Sequence, residues 1–270
     1  MKFEVSVIIP MYNSANDIVR SLNSVARQTL RVKEIIVVND GSTDNSADIV
    51  EDWRKKNPDM QLVLINQSNG GVSKARNTGL KNAVGNWIAL LDSDDEWHNN
   101  KLQVQYETIM ANPNIDFIAC NPIREKIERF FWKKFEYLNK ITVSNLIFKN
   151  YFQPSTVVFK QEIVNVIGYF DETQRYAEEG NYFMRIAHQY NCYLLNIRLI
   201  NYGYDKEGFG HSGLSGNVVE MEKGELKNLK FVYSNNYING FQYITALLFS
   251  LIKFAIRIIK VKLKNSNATN

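Results

Sequence analysis

The sequence predicts an α/β fold in which helices flank a mostly parallel sheet on both faces. Through the first hundred residues, short β-branched runs alternate with segments of helical apolar spacing. A polar or glycine-rich turn follows each strand-like run, as expected of repeated βα units. With 270 residues, 45% of them hydrophobic and 22% charged, the chain has the composition of an ordinary globular protein with a substantial core.

The alternation can be assigned element by element in the first hundred residues. The predicted strands are 5–9, 34–38, 61–65 and 86–91, and the predicted helices are 15–26, 45–55 and 72–83. Pro10 is expected to end the first strand, because proline donates no hydrogen bond to a β-ladder. These units predict four parallel strands whose carboxyl ends lie at one edge of the sheet.

An acidic cluster follows the fourth predicted strand and contains four carboxylates within five positions, Asp92, Asp94, Asp95 and Glu96. Clustered carboxylates repel one another unless a cation or hydrogen-bond donors neutralise them. Mg²⁺ favours one or two carboxylates together with substrate phosphate oxygens, which makes a metal–diphosphate site one interpretation. The alternative is a solvated acidic turn that caps the next helix.

Polar turns follow all four predicted strands, so they should meet along one rim. The turns cover residues 10–13, 39–44, 68–71 and 92–95. Two of them contain glycines, which allow a backbone to approach a ligand closely. Together the turns predict a nucleotide pocket. The chain has no G-x-G-x-x-G after the first strand and no G-x-x-x-x-G-K-[ST], which argues against dinucleotide and P-loop sites.

Four stretches of the chain resemble a known family in their order and spacing. They are SVIIPMYN at 6–13, VVNDGSTD at 37–44, GGVSKARNTG at 70–79 and LDSDD at 91–95. The chain resembles, over about residues 4–215, the inverting family 2 nucleotide-sugar glycosyltransferases of bacterial surface-polysaccharide synthesis. The resemblance implies a GT-A fold with a Rossmann-like sheet, a nucleoside-diphosphate-sugar donor for which UDP is the expected nucleotide, and Mn²⁺ or Mg²⁺ as cofactor.

The resemblance also implies roles for individual residues. It places Asp94 as the direct metal ligand, with Asp92 near the metal or the ribose, and Asp40 as an acceptor for the base N–H. Lys74 and Arg76 could instead be cations on a helix surface. Asn39 stands where the family often has Asp. The implied nucleotide-sugar-binding residues are Pro10, Tyr12, Asn13, Asp40, Gly71, Lys74, Arg76, Asp92, Ser93, Asp95 and His211.

A second acidic pair resembles the pair that opens a helix in this family. Glu179 occupies the position of the usual general base, with Glu178 as the next candidate. An inverting transfer needs such a base to deprotonate the acceptor hydroxyl. The structural alternative is a helix N-terminus stabilised by acidic residues against its dipole. For His211, a solvent-exposed loop position is the alternative to a phosphate or metal contact.

Composition changes along the chain suggest three segments. The resemblance implies that residues 1–111 form the nucleotide-sugar-binding half and residues 112–215 the acceptor-binding half of the same domain, with the base. Residues 216–270 are predicted to form a C-terminal helical tail. Residues 226–270 contain seven Lys or Arg and no Asp or Glu, whereas the net charge of the whole chain is +4. The body is therefore not basic, which argues against a nucleic-acid partner.

The tail resembles a basic amphipathic helix. Lys253, Arg257, Lys260 and Lys264 recur along one helical face beside an apolar stripe. This pattern predicts binding to the surface of an anionic membrane, where a lipid-linked oligosaccharide or other glycan acceptor would also lie. The alternatives are packing on the catalytic domain or on a partner subunit. Two cysteines without a motif and no evident signal peptide favour a cytoplasmic location at the inner face of the membrane.

Two other functions remain open from the sequence. A non-catalytic nucleotide-sugar-binding subunit would explain the departures at Asn39 and Glu179. A nucleotidyltransferase shares a similar core but needs a glycine-rich, cation-bearing loop after the first strand, which residues 10–13 do not supply.

Overall fold

The computed structural model describes residues 2–121, 127–130, 133–201 and 217–267. Twelve strands are described in these ranges. They are β1 (Val5–Met11), β2 (Glu34–Asp40), β3 (Leu62–Gln67), β4 (Trp87–Leu90), β5 (Glu96–Trp97), β6 (Phe117–Cys120), β7 (Arg129–Phe130), β8 (Lys133–Lys134), β9 (Leu138–Ile141), β10 (Val157–Lys160), β11 (Cys192–Leu195) and β12 (Ile200–Asn201).

The same ranges contain nine α-helices and one short 3₁₀ turn, Pro154–Thr156, directly before β10. The helices are α1 (Ile18–Ala26), α2 (Ser46–Lys56), α3 (Val72–Asn82), α4 (Lys101–Ala111), α5 (Val143–Leu146), α6 (Glu162–Ile167), α7 (Glu178–Gln189), α8 (Val218–Ser234) and α9 (Gly240–Asn267). All three helices predicted in the first hundred residues are present.

One eight-stranded sheet organises the chain, with the strand order β3-β2-β1-β4-β10-β6-β11-β9. The four strands β1 to β4 run parallel, as predicted. β10 lies antiparallel between β4 and β6, and β9 pairs antiparallel with β11. The parallel pair of β6 and β11 completes a mixed but mostly parallel sheet. The carboxyl ends of β1 to β4 therefore lie side by side at one edge.

The central strands of the sheet are buried on both faces, which explains why β1, β2, β4 and β6 are mostly continuous apolar runs rather than alternating ones. On one face, Ile8 and Leu90 belong to a core shared with α3 and with the helices of the second half. On the other face, Val7 and Ala89 belong to a core formed with α1, α2 and α4. Both cores fix the positions of the strand ends that carry the polar turns.

The first strand extends past Pro10 to Met11, so the predicted end of this strand was wrong. Ile8 accepts a hydrogen bond from the Leu91 N–H, which places Ile8 and, two residues later, Pro10 on the side of β4. The pairing of β1 with β4 ends at Ile8 opposite Leu90. The missing N–H of Pro10 therefore costs no hydrogen bond of the β1–β2 ladder, where Pro10 lies opposite Val38.

The predicted C-terminal helices are present as α8 and α9, which pack against each other, and α8 also packs against α7. The Ser250 hydroxyl donates to the Glu222 carboxylate over 2.8 Å, and the Lys253 ammonium lies 3.2 Å from the Glu225 carboxylate. Among the described helices, none combines the length and the apolar character needed to cross a bilayer.

Candidate active site

The turns after β1, β2 and β4 are joined by side-chain hydrogen bonds. The backbone N–H of Asn13 donates to the Ser42 hydroxyl over 3.0 Å, and the Asn13 amide oxygen accepts from the Thr43 N–H over 2.8 Å. The hydroxyls of Ser14 and Ser93 are 2.7 Å apart. The predicted meeting of polar turns along one rim is therefore present, with the β1 turn at its centre.

Asp40 joins the turns after β2 and β3. Its carboxylate is only 3% exposed and accepts from the Gln67 side chain at 2.7 Å and from the N–H groups of Gly70 and Gly71 at 2.9 and 2.8 Å. Gly71 has a φ of 86°, a left-handed conformation that favours glycine, at the start of α3. The described contacts of Asp40 therefore shape the turn that precedes α3.

The rim presents an aromatic ring and a cation toward its open side. Tyr12 directly follows β1 and is 51% exposed. Lys74 lies in the first turn of α3, and its aliphatic stem covers Gly70 so closely that a Cβ there would lie 2.2 Å from the Lys74 Cδ. A planar base could stack on the ring, and a phosphate could meet the ammonium group.

The acidic turn after β4 is held from two sides. The Ser21 hydroxyl on α1 donates to the carbonyl oxygens of Ser93 and Asp95 over 2.8 and 2.6 Å. The Ser155 hydroxyl accepts from the Asp92 N–H over 3.0 Å and donates to the carboxylate of Asp95, which is 5% exposed. The inward contact of Asp95 stabilises the turn, whereas Asp92 and Asp94 are both partly accessible.

The carboxylates of Asp92 and Asp94 are suited to a divalent cation that takes its remaining ligands from a bound substrate and water. Within residues 2–121, 127–130, 133–201 and 217–267, no group of three His, Cys, Asp or Glu side chains could hold a metal ion. A metal at this turn would therefore take one or two carboxylates from Asp92 and Asp94 and its other ligands from phosphate and water. Mg²⁺ commonly has such a coordination sphere.

Arg76 connects the acidic turn to the second half of the chain. Its guanidinium donates to the Asp92 carboxylate over 3.0 Å and to the Glu178 carboxylate over 2.9 Å, and the residue is 3% exposed. The helix-surface alternative is therefore wrong for Arg76. Burial alone would lower the pKa of Arg76, but the carboxylates of Asp92 and Glu178 outweigh it and raise the pKa above its usual value.

Glu179 lies beside this bridge in the first turn of α7. Burial, reinforced by the Glu178 carboxylate and partly offset by Arg76, raises the pKa of Glu179 to about 8. A carboxylate with a raised pKa is a stronger base than an ordinary one, which suits proton abstraction near neutral pH. The helix-dipole alternative is compatible with this arrangement, since both glutamates lie at the N-terminus of α7.

A known protein family matches the part of the chain that carries these turns. The sequence model described as Glycosyl transferase family 2 matches residues 6–170, which include all four rim turns. The chain belongs to this family.

Curated relatives of this family 2 glycosyltransferase come from bacteria. It is 41% identical over 125 residues to the uncharacterized glycosyltransferase EpsJ of Bacillus subtilis, a match that covers 46% of this chain and 36% of EpsJ. It is 40% identical over 106 residues to the putative teichuronic acid biosynthesis glycosyltransferase TuaG of the same organism, covering 39% of this chain and 42% of TuaG. The matches thus span less than half of each relative.

Solved structures confirm the predicted GT-A fold. Residues 1–349 of S. aureus TarS in complex with UDP-GlcNAc superpose with a TM-score of 0.69 at 24% identity, covering 92% of this chain and 71% of that one. The mannosyltransferase PcManGT from Pyrobaculum calidifontis, in complex with GDP-Man and Mn²⁺, gives a TM-score of 0.66 at 20% identity, covering 100% of this chain and 80% of that one.

Two contributors to the site of this family 2 glycosyltransferase were missed by sequence reasoning. Ser155 organises the acidic turn, but its position 60 residues after Asp95 left no local signal. Asn77 donates to the Phe170 carbonyl and the Glu172 carboxylate over 3.0 and 2.8 Å, which ties α3 to the second half. Asn77 follows Arg76 within the third resembling stretch, a signal that could have identified it. His211 lies outside the described residues.

Replacing Arg76 with methionine should lower the free energy of unfolding by about 3–5 kcal/mol, because Asp92 and Glu178 lose a buried counter-charge. The double variant Arg76→Met/Glu178→Gln should recover part of this loss, since one uncompensated carboxylate is then neutral. Urea denaturation measures both values. A loss below about 1 kcal/mol for Arg76→Met would contradict the importance of the bridge.

The pKa of Glu179 predicts a pH-dependent stability. Its pKa of about 8 in the folded chain exceeds its usual value of 4.5, so its stabilising contribution is complete below 4.5 and is lost as pH rises through about 8. Glu179→Gln stays neutral, so its stability relative to the wild type should increase by roughly 3 kcal/mol between pH 5 and pH 8, because each pH unit between the two pKa values changes the difference by about 1.4 kcal/mol. Thermal unfolding of metal-free protein across this range measures the difference. A constant difference would contradict the raised pKa.

Proposed function

We propose that this chain transfers a sugar, with inversion at the anomeric carbon, from a UDP-sugar to a lipid-linked saccharide during assembly of a bacterial surface polysaccharide. The observation that carries the proposal is the buried bridge Asp92–Arg76–Glu178, which sets Glu179 next to the rim of polar turns. Through this bridge, a turn suited to a diphosphate and a carboxylate suited to proton abstraction have a fixed relative position.

The donor class is supported by the rim and by the solved relatives. TarS binds UDP and UDP-GlcNAc, and PcManGT binds GDP-Man. In this chain, Pro10, Tyr12 and Asn13 would border the base, with the Tyr12 ring exposed for stacking. Gly71 and Lys74 would approach the phosphates, where the start of α3 adds backbone N–H donors. The remaining proposed contacts to the nucleotide sugar come from Asp40, Asp92, Ser93, Asp95 and His211.

The transfer step uses Glu179 as general base. Its carboxylate takes the proton of the acceptor hydroxyl, and the resulting oxygen nucleophile forms a bond to the anomeric carbon. The bond between that carbon and the β-phosphate oxygen breaks on the opposite face, and the nucleoside diphosphate leaves with the electron pair. Glu178 is held by Arg76, which leaves Glu179 as the carboxylate that is available to the acceptor.

Asp94, with Asp92, would hold Mn²⁺ or Mg²⁺ at the acidic turn. When bound, such an ion neutralises the charge of the departing diphosphate. The protein contributes the rigidity of the turn, because Ser21 and Ser155 fix its backbone and the Asp95 side chain. Asp92 has a second task, since its carboxylate also pairs with Arg76.

Glu179→Gln should lower the turnover of a nucleotide-sugar donor by about 10²–10⁴-fold while UDP binding is retained, because a neutral amide cannot accept the proton. Asp94→Asn should weaken both turnover and Mn²⁺ dependence. A panel of nucleotide sugars with Mn²⁺, scored by UDP or GDP release, measures these effects. Lys223→Ala, on the exposed side of α8, is the control.

Near-normal transfer by Glu179→Gln would move the base to another residue, with Glu178 next in order. Unchanged Mn²⁺ dependence in Asp94→Asn would remove the metal role of that residue. If wild-type protein binds UDP in calorimetry but transfers from no donor to any acceptor, the non-catalytic binding subunit becomes the better description.

The C-terminal helix supports a further part of the proposal, an association with the inner surface of the cell membrane. Seven apolar side chains of α9 are more than 40% exposed along about 27 Å of helix. They are Phe241, Ile244, Leu248, Leu251, Ile252, Ile256 and Ile259. Their spacing of three or four residues places them on one face, hereafter the apolar stripe. No acidic residue occurs between positions 226 and 270, so an anionic lipid surface is the partner that fits its charge.

The cations of α9 are arranged differently from the prediction. Lys253 and Arg257 turn toward α8, where both lie close to the Glu225 carboxylate, at 3.2 and 2.9 Å. These two cations therefore stabilise the packing of α9 instead of facing solvent with Lys260. In the proposed mode, burial of the apolar stripe supplies most of the affinity for the membrane, and Lys260 adds a smaller electrostatic contribution.

The double variant Ile252→Glu/Ile256→Glu should reduce flotation with phosphatidylglycerol-containing vesicles at least tenfold, because burial of two isoleucines contributes roughly 3 kcal/mol or more. Lys260→Gln should reduce it only by about fivefold. Vesicles of phosphatidylcholine alone are the control for charge. Equal flotation of wild type and double variant would contradict membrane binding. A concentration-dependent dimer that the double variant abolishes, without flotation, would show that a second copy covers the stripe.

A further inference from the structure

The residue before the acidic pair of α7 has an unusual backbone. Ala177 has a φ of 54° and a ψ of 29°, the left-handed conformation, and is 7% exposed. For an L-residue with a side chain this conformation costs roughly 1–2 kcal/mol. It persists only where the surroundings determine it. Because Ala177 directly precedes Glu178 and Glu179, its backbone sets the direction in which both carboxylates leave the chain.

Helix α8 supplies the surroundings that hold Ala177. The Asn228 side chain donates to the Ala177 carbonyl over 2.7 Å and accepts from the Gln174 side chain over 2.9 Å. The same Gln174 nitrogen donates to the Tyr176 carbonyl over 3.0 Å. Asn228 and Gln174 are 2% and 4% exposed. Two buried carboxamides thus fix the orientation of two consecutive peptide groups before α7.

A glycine one turn earlier on α8 allows this approach. A Cβ at Gly224 would lie 2.3 Å from the Tyr176 carbonyl oxygen, so any side chain there would force the two segments apart. Glycine inside a helix costs about 1 kcal/mol relative to alanine. At this position, close contact with the peptide group of Tyr176 explains its presence. Gly224 and Asn228 lie on the same face of α8, four residues apart.

We propose that Asn228 and Gly224 are positioning residues for the general base, and that α8 holds the 176–177 backbone in the conformation that aims Glu179 at the acceptor. This inference rests on the proposed role of Glu179. It makes the first C-terminal helix a part of the catalytic apparatus, although none of its described residues needs to touch either substrate. Loss of the Asn228 hydrogen bond would let Ala177 relax toward the right-handed region and rotate the start of α7.

The test compares Asn228→Ala, Gly224→Ala and the double variant Asn228→Ala/Ala177→Gly with wild type. Turnover is measured as UDP or GDP release from UDP-GlcNAc, UDP-glucose, UDP-galactose and GDP-mannose, with kcat and donor KM determined separately. UDP affinity is measured by calorimetry, and circular dichroism checks the fold. Hydrogen exchange at the Asn181 amide, which donates to the Ala177 carbonyl, reports on the local backbone without substrate.

Asn228→Ala should lower kcat about 10–100-fold while donor KM and UDP affinity change less than about twofold, because only the acceptor side is misplaced. Gly224→Ala should have an equal or larger effect. Glycine adopts the left-handed conformation without steric cost, so Ala177→Gly in the Asn228→Ala background should restore kcat at least about fivefold. Exchange at the Asn181 amide should accelerate in Asn228→Ala. Lys223→Ala, exposed on the same helix, should resemble wild type.

The inference is overturned if folded Asn228→Ala keeps wild-type kcat, or if it loses kcat without recovery by Ala177→Gly. Failure of the proposed function has a different signature. In that case, either Glu179→Gln retains turnover or the wild type turns over no donor. Hydrogen exchange then tests the backbone role of Asn228 separately. An unchanged exchange rate at the Asn181 amide in Asn228→Ala would refute that role.

Discussion

A single buried charge, the guanidinium of Arg76, holds together the two halves of this chain. Burying an arginine is costly unless its charge is compensated and its donors are bonded. Here the Asp92 and Glu178 carboxylates compensate the charge and accept hydrogen bonds from the two terminal nitrogens of the guanidinium, one from the turn after β4 and one from the start of α7. Without this cation, the buried Glu178 carboxylate would lack its counter-charge. The strand-end rim and α7 therefore depend on the same interaction for their relative position.

The same arrangement of charges affects the pKa of Glu179. Arg76 is shared with Asp92 and Glu178, so its compensation of a third carboxylate is incomplete, and burial together with the Glu178 charge raises the pKa of Glu179. A group whose charged form is disfavoured in the folded state reduces stability at the pH where that form is needed. A raised pKa of this kind is common at functional sites, which is consistent with the general base proposed above.

The parallel half of the fold could be predicted from the sequence because its signals are local. Buried strands appear as apolar runs, helices as periodic ones, and the turns after β1 to β4 must share an edge once the strands are parallel. The parallel order of the strands is enough to predict the polar rim, without information on side-chain contacts. The acidic pair on α7 came only from resemblance to a family, since two glutamates at a helix start have an ordinary structural explanation.

Other features depend on contacts between distant segments and left no local trace. Ser155 bonds to Asp95 across 60 residues, and Asn228 reaches Ala177 across 51. The periodicity of α9 predicted one basic face but gave no information on what the individual cations meet. Its neighbour is α8, whose Glu225 attracts Lys253 and Arg257. Pairing partners at long sequence distance are set by tertiary packing rather than by pattern.

The carboxylates of α8 have a consequence for how the chain can be divided. Burial tends to raise the pKa of Glu225, yet Lys253 and Arg257 lower it below its usual value, and Glu222 lies within hydrogen-bond reach of Ser250. All three partners belong to α9. A chain cut short before α9 would leave two neighbouring glutamates on α8 without counter-charges, on the helix that supports the loop before α7. The C-terminal helix is therefore not a detachable module, and loss of activity after its removal would not by itself identify a targeting role.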